Sequence, residues 1–325
     1  MAAIKEVSMS APVVSRRRRI KKGELILPLF IVVIAVVATL IEPRFMSASN
    51  LANLGKQMVP LAIAAVGQCL AVISGGLDLS IAAVMSLAGV SGILVMEQYG
   101  VWAGIATMLI TGSVMGLFSG AIISYMKTTP LIVTLGMLSI SQALALILSH
   151  GVPIYNIPES FANAVGFGTL LGLPVIIWIG GATVVAAWIL LRKTVFGRYV
   201  YAIGSNSSAA TKSGLNVPRY TTLVYGFSGL TAGICAIVMT SWTSAAEPVA
   251  SPNLTLESIA AVVLGGVALK GGSGGIHHVL YGVIILSMLT NAMNITGVST
   301  FYQMLAVGLV IILAVMLDRF RGKAN

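Results

Sequence analysis

A succession of long apolar runs separated by short polar connections constrains this chain more than any other feature. A transmembrane helix needs about 20 mostly apolar residues, and only helices and closed barrels satisfy their backbone in lipid. The 325 residues are 57% hydrophobic and 9% charged, whereas a soluble domain carries roughly 25% charged residues. The sequence therefore predicts an all-α integral membrane protein, a polytopic bundle of about ten transmembrane helices. The predicted spans are Leu25–Ile41, Leu54–Ile73, Ile81–Met96, Trp102–Tyr125, Leu131–Leu148, Leu170–Leu191, Thr221–Trp242, Glu257–Leu269, Ile276–Met293 and Tyr302–Leu317.

The net charge of +10 is concentrated in short segments beside the apolar runs. Basic residues lie in a tail over 1–24, a connection over 192–220 and a second tail over 319–325, whereas 150–169 has no Lys or Arg. This is the positive-inside pattern, so both termini and the 192–220 connection are predicted to face the cytoplasm. Arg44 and Lys56, which the same crossing order puts outside, are exceptions. No basic stripe with interleaved aromatics lies on a soluble module, which disfavours a nucleic-acid partner.

Glycine spacing within two of the spans predicts closely packed helices. Small residues four positions apart let helix backbones approach each other in lipid, where hydrophobicity gives helices no drive to associate. We interpret these glycines as packing features rather than as contacts to a transported solute. The set is Gly112, Gly116 and Gly120 in one span, and Gly229 and Gly233 in another.

Two glycine pairs, Gly75-Gly76 and Gly265-Gly266, interrupt apolar runs and predict broken or re-entrant segments. Non-helical backbone at membrane depth is tolerated where it is buried in protein or lines a cavity. Asp78 lies in the first of these breaks, and an acid within a membrane is functional by default. It could instead cap the helix that begins near Leu79, accepting hydrogen bonds from the first N–H groups. The sequence leaves both roles open.

The 192–220 connection contains a short helix with start and stop residues at its ends. Asn206 is a good N-cap, and Gly214 suits the left-handed position after the last turn. Pro218 then prevents the helix from continuing. A helix this short is marginal alone in water, so it must pack against something. Its partner is either the bundle itself or a cytosolic protein that docks on it.

Three blocks of sequence, together with this connection, resemble the ribose-type ABC importer permeases. The blocks are Gly75-Gly76-Leu77-Asp78-Leu79-Ser80, Ile259 to Gly266 followed by Gly271-Gly272-Ser273-Gly274, and Gly297 through Asp318. The similarity extends over nearly the whole chain in the family's order. It implies a transmembrane permease domain over 25–318 in a bacterial inner membrane, which moves a sugar or sugar-like solute by alternating access.

The resemblance also implies partners. Two permease copies, as a homodimer or as a pair of related permeases, would form the translocation path within the membrane lipid. Cytosolic ATP-binding subunits would hold ATP and Mg, a periplasmic sugar-binding protein would deliver the solute, and this chain would bind no cofactor. The coupling role carries over to Asn206, Ala209, Ala210, Ser213 and Gly214, with Gly197, Arg198 and Gly204 shaping the approach.

Four amide side chains lie within the later or middle parts of spans. Buried amides either join helices by hydrogen bonds or bind sugar hydroxyls along a polar path. Asn291 and Asn294 are three residues apart and hence on one helix face. The four candidates are Gln68, Gln142, Asn291 and Asn294.

Motifs for enzymatic chemistry are missing from the sequence. It has no Gly-x-x-x-x-Gly-Lys-Ser/Thr element, His-Glu-x-x-His element or cysteine cluster. We therefore expect that the chain is not an ATPase or any other enzyme and that it has no metal site. The alternative function is an ion-coupled secondary transporter, which also uses broken helices. Such transporters often carry several intramembrane acids, and this chain offers Asp78 and little else.

Overall fold

The computed structural model describes residues 26–251 and 253–321. The predicted basic tail 1–24 and the last residues of the predicted tail 319–325 lie outside the described residues. Backbone hydrogen bonding in the described part is almost entirely helical, as lipid requires. The helices are α1 (Ile26–Ile41), α2 (Ala48–Ile73), α3 (Ile81–Tyr99), α4 (Val101–Tyr125), α5 (Pro130–Leu148), α6 (Glu159–Phe161), α7 (Val175–Lys193), α8 (Val195–Ser205), α9 (Ser207–Lys212), α10 (Val217–Thr243), α11 (Leu254–Gly265), α12 (Ile276–Ile295) and α13 (Thr300–Arg321).

The ten predicted spans correspond, in the same order, to ten apolar helices of the described chain. Each predicted apolar run contains a helix, and seven of the described helices are long and apolar enough to cross a membrane. Three more are shorter apolar helices, covering Leu27–Ile41, Leu254–Gly265 and Thr300–Ile312. The prediction of an all-α polytopic membrane protein is confirmed.

The sixth predicted span begins too early. Its first residues form a small antiparallel hairpin, in which β1 (Thr169–Leu170) pairs with β2 (Leu173–Pro174). Leu171 and Gly172 both have positive φ and form the tight turn between the strands. The helix therefore starts at Val175. The predicted start was too early because apolar composition does not distinguish a hairpin from the first turn of a membrane span.

The eighth predicted span is only partly helical. The helix α11 has 12 residues, about 18 Å of rise, which is little more than half of the hydrocarbon core. The non-helical chain before it packs along α3. There the amide of Ala250 donates to the Ser86 hydroxyl at 3.0 Å, and in the first turn of α11 the Thr255 hydroxyl accepts a 3.1 Å hydrogen bond from the amide of Ala82. The predicted range Glu257–Leu269 thus misses the helix start and overruns its end.

The connections gather at two ends of the bundle. Segments 74–80, 194–216 and 266–275 meet at one end, which we call the α8 end. There the amide of Gly272 donates a 2.8 Å hydrogen bond to the carbonyl of Ile73. The crossing order places all three of these connections on the same side of the membrane.

The opposite end collects the other connections. Ile154 and Ala246 exchange backbone hydrogen bonds of 3.0 and 2.9 Å, joining the chain after α5 to the chain after α10. Gly166, in a π-helical turn over Ala162–Gly166, lies directly against the Ser241 carbonyl near the end of α10. Contacts at both ends are those that spans of alternating direction require.

The glycine spacing forms a seam between α4 and α10, the most extensive helix pair in the described part of the chain. A Cβ on Gly112 would overlap the carbonyl of Gly229, and a Cβ on Gly229 would overlap the carbonyl of Gly112. A Cβ on Gly120 would lie 2.7 Å from the Thr222 backbone. The predicted close approach is confirmed, and it stabilises the centre of the bundle.

Arg44, one of the two basic residues on the side predicted to be outside, has a local partner. Its guanidinium donates to the Glu42 carboxylate at 2.9 and 3.0 Å, just after α1. This hydrogen bonding lowers the pKa of Glu42 to about 2. The pair neutralises Arg44, and the positive-inside exception is therefore not an unbalanced charge.

Candidate functional site

The 192–220 connection contains a second, longer helix that the sequence analysis did not foresee. Thr194 caps α8, accepting a 3.3 Å hydrogen bond from the amide of Gly197. The buried face of α8 consists of Gly197, Val200 and Ile203. A Cβ on Gly197 would overlap the carbonyl of Leu191, so this glycine lets α8 fold back against the end of α7. Alternating apolar and polar residues at helical spacing could have revealed α8.

The short helix α9 lies where the sequence predicts it. The Asn206 side chain accepts a 2.9 Å hydrogen bond from the amide of Ala209, as an N-cap does. Gly214 has φ +82°, and the amide of Leu215 reaches back to the carbonyl of Ala210 at 3.1 Å. This is a Schellman-type stop.

Pro218 has a different role from the one predicted. It lies in the first turn of α10, where a missing N–H costs nothing. Asn216 caps this helix by accepting a 3.1 Å hydrogen bond from the amide of Arg219. Pro218 therefore starts the next helix, whereas Gly214 ends α9.

A groove lies between the outer faces of α8 and α9. Its volume is about 440 Å³. Ala209 and Ser213 are exposed on its wall, whereas Ala210 is buried against the bundle. Of the predicted coupling residues, five line the groove beside Tyr199: Asn206, Ala209, Ala210, Ser213 and Gly214.

Gly204 lies outside the groove, on the inner side of α8. A Cβ there would overlap the carbonyl of Ile73 and would lie 2.7 Å from the amide of Gly272. A Cβ on Gly271 would in turn lie 2.9 Å from both the Gly204 carbonyl and the Cα of Gly75. The ends of α2 and α8 and the loop after α11 thus meet backbone to backbone, an arrangement we call the glycine junction. It connects the α8–α9 pair directly to both predicted helix breaks.

The first predicted break is held in place by α5 and α10. Gly75 has φ +91°, which ends α2. A Cβ on Gly76 would overlap the Tyr225 hydroxyl, so α10 packs closely on this turn. Tyr225 and Thr134 both donate to the Leu77 carbonyl at 3.4 Å. Residues 74–80 form the non-helical connection between α2 and α3, as predicted.

Asp78 is buried but is not the N-cap of α3. Ser80 occupies that position, and Asp78 lies two residues before it. One carboxylate oxygen of Asp78 accepts from the Ser80 amide at 3.0 Å and from its hydroxyl at 2.6 Å. The other accepts from the Ser228 hydroxyl of α10 at 2.7 Å. Asp78 therefore joins the 74–80 segment to α10 by a hydrogen bond. The sequence does not predict this contact because Asp78 and Ser228 are far apart in the chain.

The second break ends α11 in the same way. Gly266 has φ +96°, and the amide of Val267 donates to the Val262 carbonyl at 3.1 Å. A Cβ on Gly265 would overlap the carbonyl of His278, so α11 and α12 are in close contact here. Both members of this glycine pair are structurally required.

Two of the predicted amides make interhelical or cross-turn hydrogen bonds. Asn291 is buried and exchanges hydrogen bonds of 2.9 and 3.2 Å with Asn50 of α2. Asn294 is exposed and accepts from Gln303 at 2.7 Å across the turn between α12 and α13. The hydrogen-bonding interpretation fits both residues.

The other two amides differ sharply from each other. The Gln142 side chain donates to the carbonyl of Pro248 in the chain before α11. Gln68 is fully buried in α2, and neither its side-chain nitrogen nor its oxygen has a hydrogen-bond partner within the described residues. A buried amide without partners costs about 1–3 kcal/mol, so its presence calls for an explanation beyond packing.

Comparison with known proteins identifies the family. Residues 50–315 match the family described as branched-chain amino acid transport system / permease component. The ribose import permease protein RbsC of Escherichia coli (strain K12) is 36% identical over 318 residues, which cover 95% of this chain and 99% of the relative. The chain belongs to this permease family. RbsC of Bacillus subtilis (strain 168) is 38% identical over 298 residues, covering 90% of this chain and 91% of the relative.

A further relative is the L-arabinose transport system permease protein AraH of Escherichia coli (strain K12). It is 36% identical over 294 residues, covering 90% of this permease and 89% of the relative. No solved structure matches the chain. The expected resemblance to ribose-type permeases is confirmed, and the chain is a transport subunit rather than an enzyme. The alternative of an ion-coupled secondary transporter finds no support among these relatives.

Within the described residues, no group of three or more His, Cys, Asp or Glu side chains could hold a metal ion. Cys69 and Cys235 are buried free thiols within α2 and α10, where free cysteine packs as a small apolar residue.

Proposed function

We propose that this permease is the membrane-spanning subunit of a bacterial ABC importer for a sugar or sugar-like solute. The relatives at 36–38% identity are named for ribose and L-arabinose. Their coverage of nearly the whole chain supports a sugar over the amino acids in the family description. The permease domain, 25–318, lies in the inner membrane. The basic tails, 1–24 and 319–325, face the cytoplasm because of the positive-inside bias.

The observation that carries this proposal is the α8–α9 groove. Small side chains at Ala209, Ser213 and Gly214 leave the wall of the groove open to a helix or loop of another protein. Family membership implies an ATPase partner and a binding-protein partner. The ATPase docks in this groove and holds ATP and Mg, while the binding protein delivers solute at the opposite end of the bundle.

The glycine junction transmits movement from the groove to the membrane interior. Gly204 contacts the ends of both broken segments through backbone atoms, with no flexible side chain between them. Closure of the ATPase subunits on ATP shifts α8, and the shift reaches residues 74–80 and 266–275 without loss. Bistable repacking of these segments then gives alternating access.

The translocation path forms between two permease copies and involves the unpaired amide of Gln68. A cavity between α3 and α10, near Ser86 and Glu247, has a volume of about 30 Å³. That volume holds water but not a sugar. A sugar therefore does not pass through this cavity as it stands, and we infer that passage uses the rearrangement described above, in which the Gln68 amide meets a sugar hydroxyl. Asp78 and the glycine pairs position the broken segments beside this path.

The decisive experiment is co-purification of the ATPase with groove variants. Ala209→Arg places a long charged side chain on the groove wall, at an exposed position that does not affect insertion. We expect ATPase retention to fall by about tenfold or more, the equivalent of about 1.4 kcal/mol. The matched control is Ser208→Arg, on the same helix but outside the groove lining, which retains the ATPase. Equal retention by both variants would show that the groove is not the docking site.

Transport itself is tested in proteoliposomes containing the permease and its ATPase, with the sugar-binding protein supplied on the side opposite the ATPase. Sugar uptake is expected to require ATP and to survive collapse of ion gradients by ionophores. Uptake without ATP that stops when an ion gradient is removed would contradict the importer.

A further inference from the structure

A second cavity lies beside α8, and it shares no lining residue with the groove. It is bounded by the end of α7, by α8 and by the start of α12, and its volume is about 310 Å³. We call it the basic cavity. The side chains that matter for its chemistry are those of Trp188, Arg192, Arg198, Tyr201 and His277.

The two arginines of the basic cavity carry unbalanced charge. Both are exposed, and among the side chains that the structure describes over 27–251 and 253–312 the Glu42–Arg44 pair is the one ion pair. No carboxylate among those side chains therefore forms an ion pair with Arg192 or Arg198. Two guanidinium groups lining one cavity match the charge and the fork geometry of a phosphate group.

The start of α12 adds partial positive charge to the same cavity. Its first turn contains no acidic residue, and no side chain caps it at Gly275. The Tyr201 hydroxyl donates to the Gly274 carbonyl at 2.9 Å, which fixes the approach to this helix end. The positive end of a helix macrodipole stabilises an anion placed against it.

The position of the basic cavity points to lipid. Val185 and Ile189 of α7 are exposed, as expected of a lipid-facing surface. Trp188 is partly exposed on the cavity wall, with the Lys193 ammonium 5.9 Å from its ring centroid. Tryptophan with adjacent basic residues is typical of the membrane–water boundary, and basic pockets between helices on the cytoplasmic side bind anionic headgroups.

We propose that the basic cavity binds the phosphate headgroup of an anionic phospholipid. The acyl chains lie along the exposed face of α7, and the phosphate contacts Arg192, Arg198 and the start of α12. From α8 the groove is lined by Tyr199, Ala202 and Ser205 and the basic cavity by Arg198 and Tyr201, so a lipid in the cavity leaves the residues of the groove free for docking. This proposal goes beyond the importer function and does not depend on the transported solute.

The test measures lipid retention in the full-length permease. The protein is reconstituted in nanodiscs of phosphatidylcholine with phosphatidylglycerol, extracted in detergent, and examined by native mass spectrometry for bound lipid. We expect selective retention of phosphatidylglycerol. Each of Arg192→Gln and Arg198→Gln weakens it about fivefold, and the double variant about thirtyfold, at about 1 kcal/mol for each charge.

Matched variants separate charge from structure. Arg219→Gln removes an exposed arginine of the same connection that does not line the cavity, and it retains the lipid normally. The double substitution Arg192→Lys with Arg198→Lys keeps the charge and restores most of the retention. A monodisperse elution profile confirms that each variant is folded.

Three results would overturn the proposal. The first is equal retention of phosphatidylcholine, and the second is unchanged retention in the Arg192→Gln and Arg198→Gln double variant. The third is cross-linking of both arginines to carboxylates of the ATPase in the assembled complex, which assigns the cavity to a protein interface instead.

Discussion

The carbonyl oxygen of Ile73, the last residue of α2, faces Gly204 of α8 so closely that a methyl group on Gly204 would overlap it. The same carbonyl accepts a hydrogen bond from Gly272 at 2.8 Å. One backbone atom is thus shared by the helix proposed to receive the ATPase and by two broken membrane segments. This relationship makes the α8 end the most informative place to perturb the protein.

Gly204→Ala tests the junction directly. Overpacking of this kind costs about 1–3 kcal/mol, so we expect a lower Tm and loss of ATP-driven uptake. Gly181→Ala in α7 is the matched control, because a Cβ there meets nothing within 4 Å. Its Tm stays constant or rises, since Ala favours a helix interior over Gly by up to about 1 kcal/mol. Normal uptake by Gly204→Ala would falsify the transmission route.

Gln68→Leu separates a transport role from a structural one. Because neither polar atom of this buried amide has a partner in the described chain, an apolar side chain of similar size is expected to leave the Tm unchanged or raise it. Uptake falls, because the path loses a group that can bind hydroxyls. Gln142→Leu, which loses the contact to Pro248, should instead lower the Tm. Unimpaired uptake in the Gln68→Leu variant would remove Gln68 from the path.

The variants Asp78→Asn and Asp78→Leu distinguish a hydrogen-bonding role of Asp78 from a role of its negative charge. Asparagine can still accept from Ser80 and can donate to Ser228, so its effect on unfolding free energy is expected to stay within about 1 kcal/mol. Leucine leaves those donors unpaired and costs about 2 kcal/mol more. Uptake follows the same order, with the Asn variant active and the Leu variant inactive. If the Asn variant assembles normally but transports nothing, the negative charge itself is required.

Asn50 and Asn291 form a pair suited to a double-mutant cycle. Their reciprocal hydrogen bonds within the membrane predict a coupling energy of about 0.6–1.7 kcal/mol between the two alanine substitutions. Denaturation of the purified single and double variants in mixed micelles gives this value. Strictly additive effects would mean that the pair contributes nothing beyond its separate contacts.

Most of the fold follows from the sequence, because lipid leaves the backbone so little choice. The apolar runs, the glycine seam at Gly112 and Gly229, and the caps of α9 at Asn206 and Gly214 depend on local spacing alone. The hairpin before α7 was missed because two short strands have the same apolar composition as a helix end. The α8 helix was missed although its apolar residues, such as Val200 and Ile203, recur at helical spacing.

The candidate site was predictable only in its local parts. The five coupling residues that line the groove lie within α9 or directly beside its ends, so the sequence alone places them together. Asp78 and Ser228 are separated by 150 positions, and only the packing of α10 against the first break brings them within 2.7 Å. The isolation of Gln68 is likewise a property of its surroundings and not of its neighbours in the chain.

The Asn50–Asn291 pair also has a consequence for the order in which the helices are synthesised and inserted. The two residues are 241 positions apart. At about 5–20 residues per second, roughly 12 to 48 seconds of synthesis separate their emergence from the ribosome. Throughout that interval α2 holds an amide whose final partner does not yet exist. Asn50 therefore lacks this hydrogen-bond partner until α12 has been synthesised. We expect a nascent permease that stalls before residue 291 to be less stable and to be degraded by membrane proteases.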